Sequence, residues 1–127
     1  METERTTRLL EGGFVVFCKS GKDRTGMAVT LGAAMLAGQA DAKTHAAAAA
    51  ADPACAQEKR QADERLMLQR ADVLREYGTR LLVAHKNTGR MKYAFNVLQR
   101  EFLPYPYKPP LSCIENLIDS AVNRDTS

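Results

Sequence analysis

The residues able to do chemistry lie in one short stretch, Cys18-Lys19-Ser20-Gly21-Lys22-Asp23-Arg24-Thr25. Cleaving a phosphate monoester through a covalent intermediate needs a thiolate, a cradle for an anion, and a positive group that follows charge onto the phosphoryl oxygens. Cys18 supplies the thiol. Loop amides, a helix start and Arg24 around it favour the thiolate, and cysteines activated in this way have pKa values of roughly 3.5 to 7.5. Between Cys18 and Arg24, successive backbone N–H groups can curl into an anion nest that runs into a helix N-terminus, so Lys19, Ser20, Gly21 and Lys22 form the phosphate-binding part. Gly21 permits the unusual backbone angles and the close approach that such a loop needs. Arg24, a planar and permanently charged fork, can hold two equatorial phosphoryl oxygens as their geometry changes. Thr25 can donate to the sulfur and lower its basicity as a leaving group.

Two elements must position this loop. Phe14-Val15-Val16-Phe17 is a short β-branched and aromatic run between glycine and the loop, the pattern of a strand buried on both faces. A lone strand cannot satisfy its own backbone, so its partners must come from elsewhere. After the loop, Thr25 to Ala37 is apolar nearly all round and predicts a buried helix, with Gly38 placed to stop it. A nucleotide-binding loop is the competing reading, because Gly13 to Ser20 nearly matches Gly-x4-Gly-Lys-Ser. Cys18 stands where the second glycine belongs, however, and the apolar run falls where a flexible phosphate-wrapping segment should be.

The rest of the chain reads as support. Asp41 to Ala51 includes six consecutive alanines, Ala46 to Ala51, and predicts a solvent-facing or inserted helix, so residues 39–60 form a candidate low-complexity insert. Asp52-Pro53 restarts a helix that runs to about Tyr77, anchored by Leu66, Leu68, Val73 and Leu74 and interrupted by Gly78. Leu81-Leu82-Val83 is apolar, Asn87-Thr88-Gly89 marks a turn, and Met91 to Phe102 predicts a helix with Phe95, Leu98 and Phe102 on one face. Closely spaced prolines from Leu103 to Pro110 exclude helix and suggest a tyrosine-bearing strap across the domain. Ser112-Cys113-Ile114-Glu115 has capping-box form, and Ile114, Leu117, Ile118, Ala121 and Val122 make the stripe of a closing amphipathic helix.

With 127 residues the chain is one domain at most, and a formal net charge of +3 does not by itself argue for nucleic acid. Cys18, Cys55 and Cys113 are odd in number and lack metal-knuckle spacing, and neither His45 nor His85 has a spaced partner, so no metal or other cofactor is expected. The cysteine usage suits a reduced, cytoplasmic compartment. No apolar run approaches the roughly 18 residues of a membrane span, so any membrane contact is expected to be peripheral.

The block from Cys18 to Thr25 resembles the cysteine-based phosphoinositide phosphatases, and most of all the inositol polyphosphate 4-phosphatase family. A second block is similar to the downstream part of the same family: Lys86-Asn87-Thr88-Gly89, Tyr93-Ala94-Phe95-Asn96, Leu103-Pro104 and Tyr107-Lys108-Pro109-Pro110. The resemblance implies a mostly helical α/β, cysteine-phosphatase-like domain and metal-independent removal of the 4-phosphate from a lipid such as phosphatidylinositol 3,4-bisphosphate, or from a soluble inositol phosphate. Cys18 would be the nucleophile and Arg24 the phosphoryl ligand. Lys19 and Lys22 would neutralise neighbouring ring phosphates. Asp23 would be either the proton donor to the leaving oxygen or a structural loop carboxylate. Family members are much longer, and only 17 residues precede Cys18 here, so the chain is expected to be a C-terminal part of a catalytic domain whose strand partners and general acid lie upstream. A dual-specificity protein phosphatase and a non-catalytic phosphoinositide-binding remnant are the alternatives.

Overall fold

The apolar segment after the loop falls within helix α1 (Asp23–His45). The computed structural model describes residues 6–7, 9–13, 15–19, 21–45 and 53–116. Met27, Leu31 and Ala34 recur at helical spacing along α1 and are fully buried, while Thr30 satisfies its hydroxyl by donating to the Gly26 carbonyl at 2.8 Å. Helix α2 (Pro53–Tyr77) opens on a proline, whose missing N–H costs nothing at the first helical position, and packs along α1. Ala71 of α2 meets Leu31 and Ala34 of α1, and alanine on both sides lets the two helices approach closely.

Gly78 separates α2 from α3 (Thr79–Thr88), and Gly89 closes α3 in the left-handed conformation, its N–H donating to the His85 carbonyl. Strand β1 (Tyr93–Asn96) follows, then the short helix α4 (Val97–Glu101). Asn96 and Gln99 form a reciprocal capping box at the start of α4. The proline strap runs through turns of 3-10 helix at Tyr105–Tyr107 and Leu111–Cys113 to β2 (Ile114–Glu115), which pairs in parallel with β1 through Tyr93 opposite Ile114 and Asn96 opposite Glu115. The fold is therefore a mostly helical α/β arrangement with a two-stranded parallel sheet. Its core has two parts, one around Met27, Leu81, Ala84, Tyr93 and Cys113, the other around Leu31, Ala34 and Ala71, and Tyr107 of the strap packs on both.

Several sequence expectations require correction. Phe14 lies outside the described residues, and Val15 to Phe17 form no strand: Val15 is 85% and Phe17 81% exposed. A strand needs backbone partners, and among the described residues the sheet is made by β1 and β2 alone. Gly38 does not end α1, because the helix continues to His45 with Asp41 ion-paired to Arg70 of α2 beyond the glycine. Nor is α1 buried all round, since Val29 and Leu36 face solvent. On α2 the anchors are Leu68, Leu74, Ala71 and Arg75, while Leu66 and Val73 are exposed.

Met91 to Phe102 is not one helix. Its first part pairs with Ile114 as strand, and Leu98 and Phe102 are exposed. Ser112-Cys113-Ile114-Glu115 caps no helix, since Ile114 and Glu115 are strand, and the stripe from Leu117 onward lies outside the described residues. So do Ala46 to Ala51 and Asp52; the described ends of the 39–60 segment are the last turns of α1 and the first of α2. No helix among the described residues is long and apolar enough to cross a membrane.

The core makes stability sensitive to alkali. Burial pushes the Cys113 thiol from its ordinary 9.0 up to about 12, and burial with the nearby Cys113 pushes the Tyr93 phenol from 10.0 up to about 12. Both shifts favour the neutral form in the folded state, so each contribution is complete below the ordinary value and lost as pH rises through the folded one. Urea unfolding followed against pH is expected to show stability declining from about pH 9 towards 12, with Cys113→Ala delaying the onset to the Tyr93 window above 10. A flat profile over that range contradicts the assignment.

Candidate active site

The loop is built as a turn feeding a helix. Gly21 takes a left-handed conformation (φ 66°) that glycine alone adopts without strain, and its N–H donates to the Cys18 carbonyl at 3.1 Å, closing the turn over Lys19. Helix α1 then begins at Asp23, with its first backbone bond from the Gly26 N–H to the Lys22 carbonyl at 2.7 Å. The N–H groups from Lys22 to Thr25 precede that ladder, which makes this junction electropositive and suited to an anion.

Cys18 is half-buried and Lys19 exposed on the turn; Lys22 and Asp23 are half-buried, and Arg24 is exposed. Ser20 lies outside the described residues. Thr25 is buried, and its hydroxyl makes no hydrogen bond, so the bond to the Cys18 sulfur that the sequence suggests is not formed. The Gly21 amide, one of the expected cradle donors, is turned back onto Cys18. No disulfide involves Cys18, Cys55 or Cys113. Among the described residues no group of His, Cys, Asp and Glu is arranged to hold a metal ion.

The platform beneath the loop comes from the second block. Asp23 Oδ1 accepts the Ala94 N–H of β1 at 2.9 Å, and the Tyr93 ring lies where a side chain on Gly26 would be, 3.1 Å from the position of a Cβ. Tyr93 is fully buried and its hydroxyl donates to the Arg75 carbonyl at 3.1 Å, so the ring cannot give way. Gly26→Ala is therefore expected to destabilise the fold on balance. Overpacking of about 1–3 kcal/mol outweighs the gain of about 1 kcal/mol in helix propensity, and thermal or urea unfolding of the variant checks the sign.

Arg80 was not singled out by the sequence. Its Nη2 donates to the Gly21 carbonyl at 2.7 Å from the first turn of α3. A signal existed, since a cation in a first turn opposes the helix dipole and implies a partner elsewhere. Arg75 was missed as well. It falls four residues after Ala71 and seven after Leu68, so it occupies the buried stripe of α2 where a charge needs several acceptors. A groove of about 720 Å³ lies between Met35, Gly38 and Ala42 on α1 and Lys59, Asp63 and Met67 on α2. It begins about 15 Å along α1 from Thr25 and shares no residue with the loop. No protein-family model matches this chain, and no solved structure matches it.

Proposed function

We propose that this chain carries the catalytic loop of a cysteine-phosphatase-like domain that removes the 4-phosphate of an inositol phospholipid such as phosphatidylinositol 3,4-bisphosphate. The observation that carries the reading is the junction itself: Cys18 and Arg24 bracket a glycine-kinked turn that opens directly into the N-terminus of α1. Further support comes from the two sequence blocks that resemble the same phosphatases, which meet in space through Asp23 with Ala94, beside the contact of Tyr93 with Gly26 just after the first block.

In the reaction the Cys18 thiolate attacks phosphorus. An S–P bond forms, the ester P–O bond breaks, and the departing inositol oxygen takes a proton from solvent water. Water then attacks the phosphocysteine, releasing inorganic phosphate and returning the thiolate. Arg24 and the amides at the start of α1 stabilise the equatorial oxygens in both steps. Lys19 and Lys22 offset neighbouring ring phosphates, which favours a polyanionic ring over a phosphopeptide. The Ala94 N–H on Asp23 supports the structural of its two roles. The protein works at the cytoplasmic surface of anionic membranes, held there peripherally.

Phosphate release from a panel of phosphoinositides, soluble inositol phosphates and phosphotyrosine peptides tests this reading. The expected result is preference for a 4-phosphate on an inositol ring. Release from phosphotyrosine peptide alone overturns the lipid assignment in favour of a dual-specificity protein phosphatase, and saturable inositol phosphate binding without release would leave a non-catalytic binding module.

A further inference from the structure

Gly21 is held from both sides. Its N–H is taken by the Cys18 carbonyl, and its own carbonyl accepts the Arg80 guanidinium at 2.7 Å from a different helix, fifty-nine residues away in sequence. The Arg80 side chain reaches the loop by passing α1 at Gly26, where its Cβ lies 3.8 Å from the position a glycine Cβ would take. This single contact comes with two costs. Arg80 places positive charge in the first turn of α3, and its Nε–H is buried with no acceptor.

The consequence follows from the peptide group. In a trans peptide the C=O and the following N–H point in opposite directions. By fixing the Gly21 carbonyl on one side, Arg80 fixes the Lys22 N–H on the other, and Lys22 is the first residue whose amide lies ahead of the α1 ladder. We propose that Arg80 is a positioning residue of the phosphate-binding loop: it touches no phosphate and acts through the Gly21–Lys22 peptide, aiming the amides that receive the anion. The proposal rests on the phosphatase reading for its chemical meaning, while its geometric content stands apart from turnover.

Two variants and two readouts test it. Arg80→Met keeps the length of the side chain and removes its donors; Arg80→Lys retains one cationic donor. Urea unfolding first scores each as folded, and where Arg80→Met is unfolded, Arg80→Lys is the variant compared with wild type. Millisecond hydrogen exchange of the Gly21 amide, which the Cys18 carbonyl holds, is expected to quicken roughly tenfold in Arg80→Met with the amides of α2 unchanged, and Arg80→Lys is expected to recover part of the protection. On a phosphoinositide, kcat is expected to fall roughly tenfold to a hundredfold with KM nearly constant, as misaimed donors weaken the transition state more than the ground state. Unchanged loop exchange in a folded variant overturns the assignment of Arg80. Absence of turnover in wild type overturns the phosphatase reading alone, because loop exchange still decides the role of Arg80.

Discussion

Arg75→Met is expected to lower the unfolding free energy by roughly 3–5 kcal/mol, the loss typical of removing one partner from a buried, hydrogen-bonded charge. Arg75 is 1% exposed and ties three segments together. Its Nε donates to Thr30 Oγ1 of α1 at 3.2 Å, Nη1 to Asp72 of α2 and to the Lys108 carbonyl, both at 3.1 Å, and Nη2 to the Pro106 carbonyl at 2.6 Å. Burial lowers the pKa of the guanidinium, with Asp72 opposing. Methionine fills the same space but leaves the strap carbonyls without donors. The prolines of the strap cannot supply replacement N–H groups, so the Leu103–Pro110 segment loses its main attachment to α2. Arg75→Lys is expected to recover only a small part, since an ammonium cannot span acceptors on three segments as a planar fork does. Urea unfolding measures both, and a loss below about 1 kcal/mol for Arg75→Met contradicts the stapling role.

Cys18→Ser is expected to cut phosphate release by roughly 10⁴-fold or more, the scale seen when the nucleophile of a covalent mechanism is removed. A serine hydroxyl at the same place gains little from a helix N-terminus, because its pKa stays far above neutrality, whereas a helix N-terminus and a nearby cation favour the thiolate of a cysteine. Arg24→Lys is expected to cost roughly 10² to 10³-fold, since a point charge replaces a fork that follows two oxygens. The two losses should not add fully, because both act on one transition state. Equal phosphate release by wild type and Cys18→Ser contradicts the nucleophile assignment.

Much of the backbone geometry of the candidate loop was legible because it is local. The order of thiol, glycine, arginine and apolar helix is written in consecutive residues, and the glycine in mid-loop does adopt the left-handed backbone that its position implies. The break at Gly78 and the proline strap were legible for the same reason. What the sequence hid depends on distant contacts. Phe95, Leu98 and Phe102 are spaced like a helix face, yet Tyr93 pairs with Ile114, twenty-one residues on, and the Asn96–Gln99 capping box starts the helix later. Asn96-x-x-Gln99 was visible in the sequence and outweighs the apolar spacing once the strand is known. Phe14 to Phe17 has strand composition, but composition cannot supply a partner, and Val15 and Phe17 stand exposed. Arg75 and Arg80 look like two ordinary charges of a charge-rich segment; only the packing of α2 and α3 against α1 separates the staple of the strap from the clamp on the loop.

Trapping the phosphocysteine intermediate tests the proposed reaction at its first step. Wild-type protein mixed with phosphatidylinositol 3,4-bisphosphate is quenched in the first turnover, digested under conditions that preserve phosphocysteine, and mapped by mass spectrometry. One phosphoryl group is expected on Cys18, absent from Cys18→Ser. Phosphate release by the wild type with the phosphoryl group on another residue, or on none, would contradict the proposed reaction.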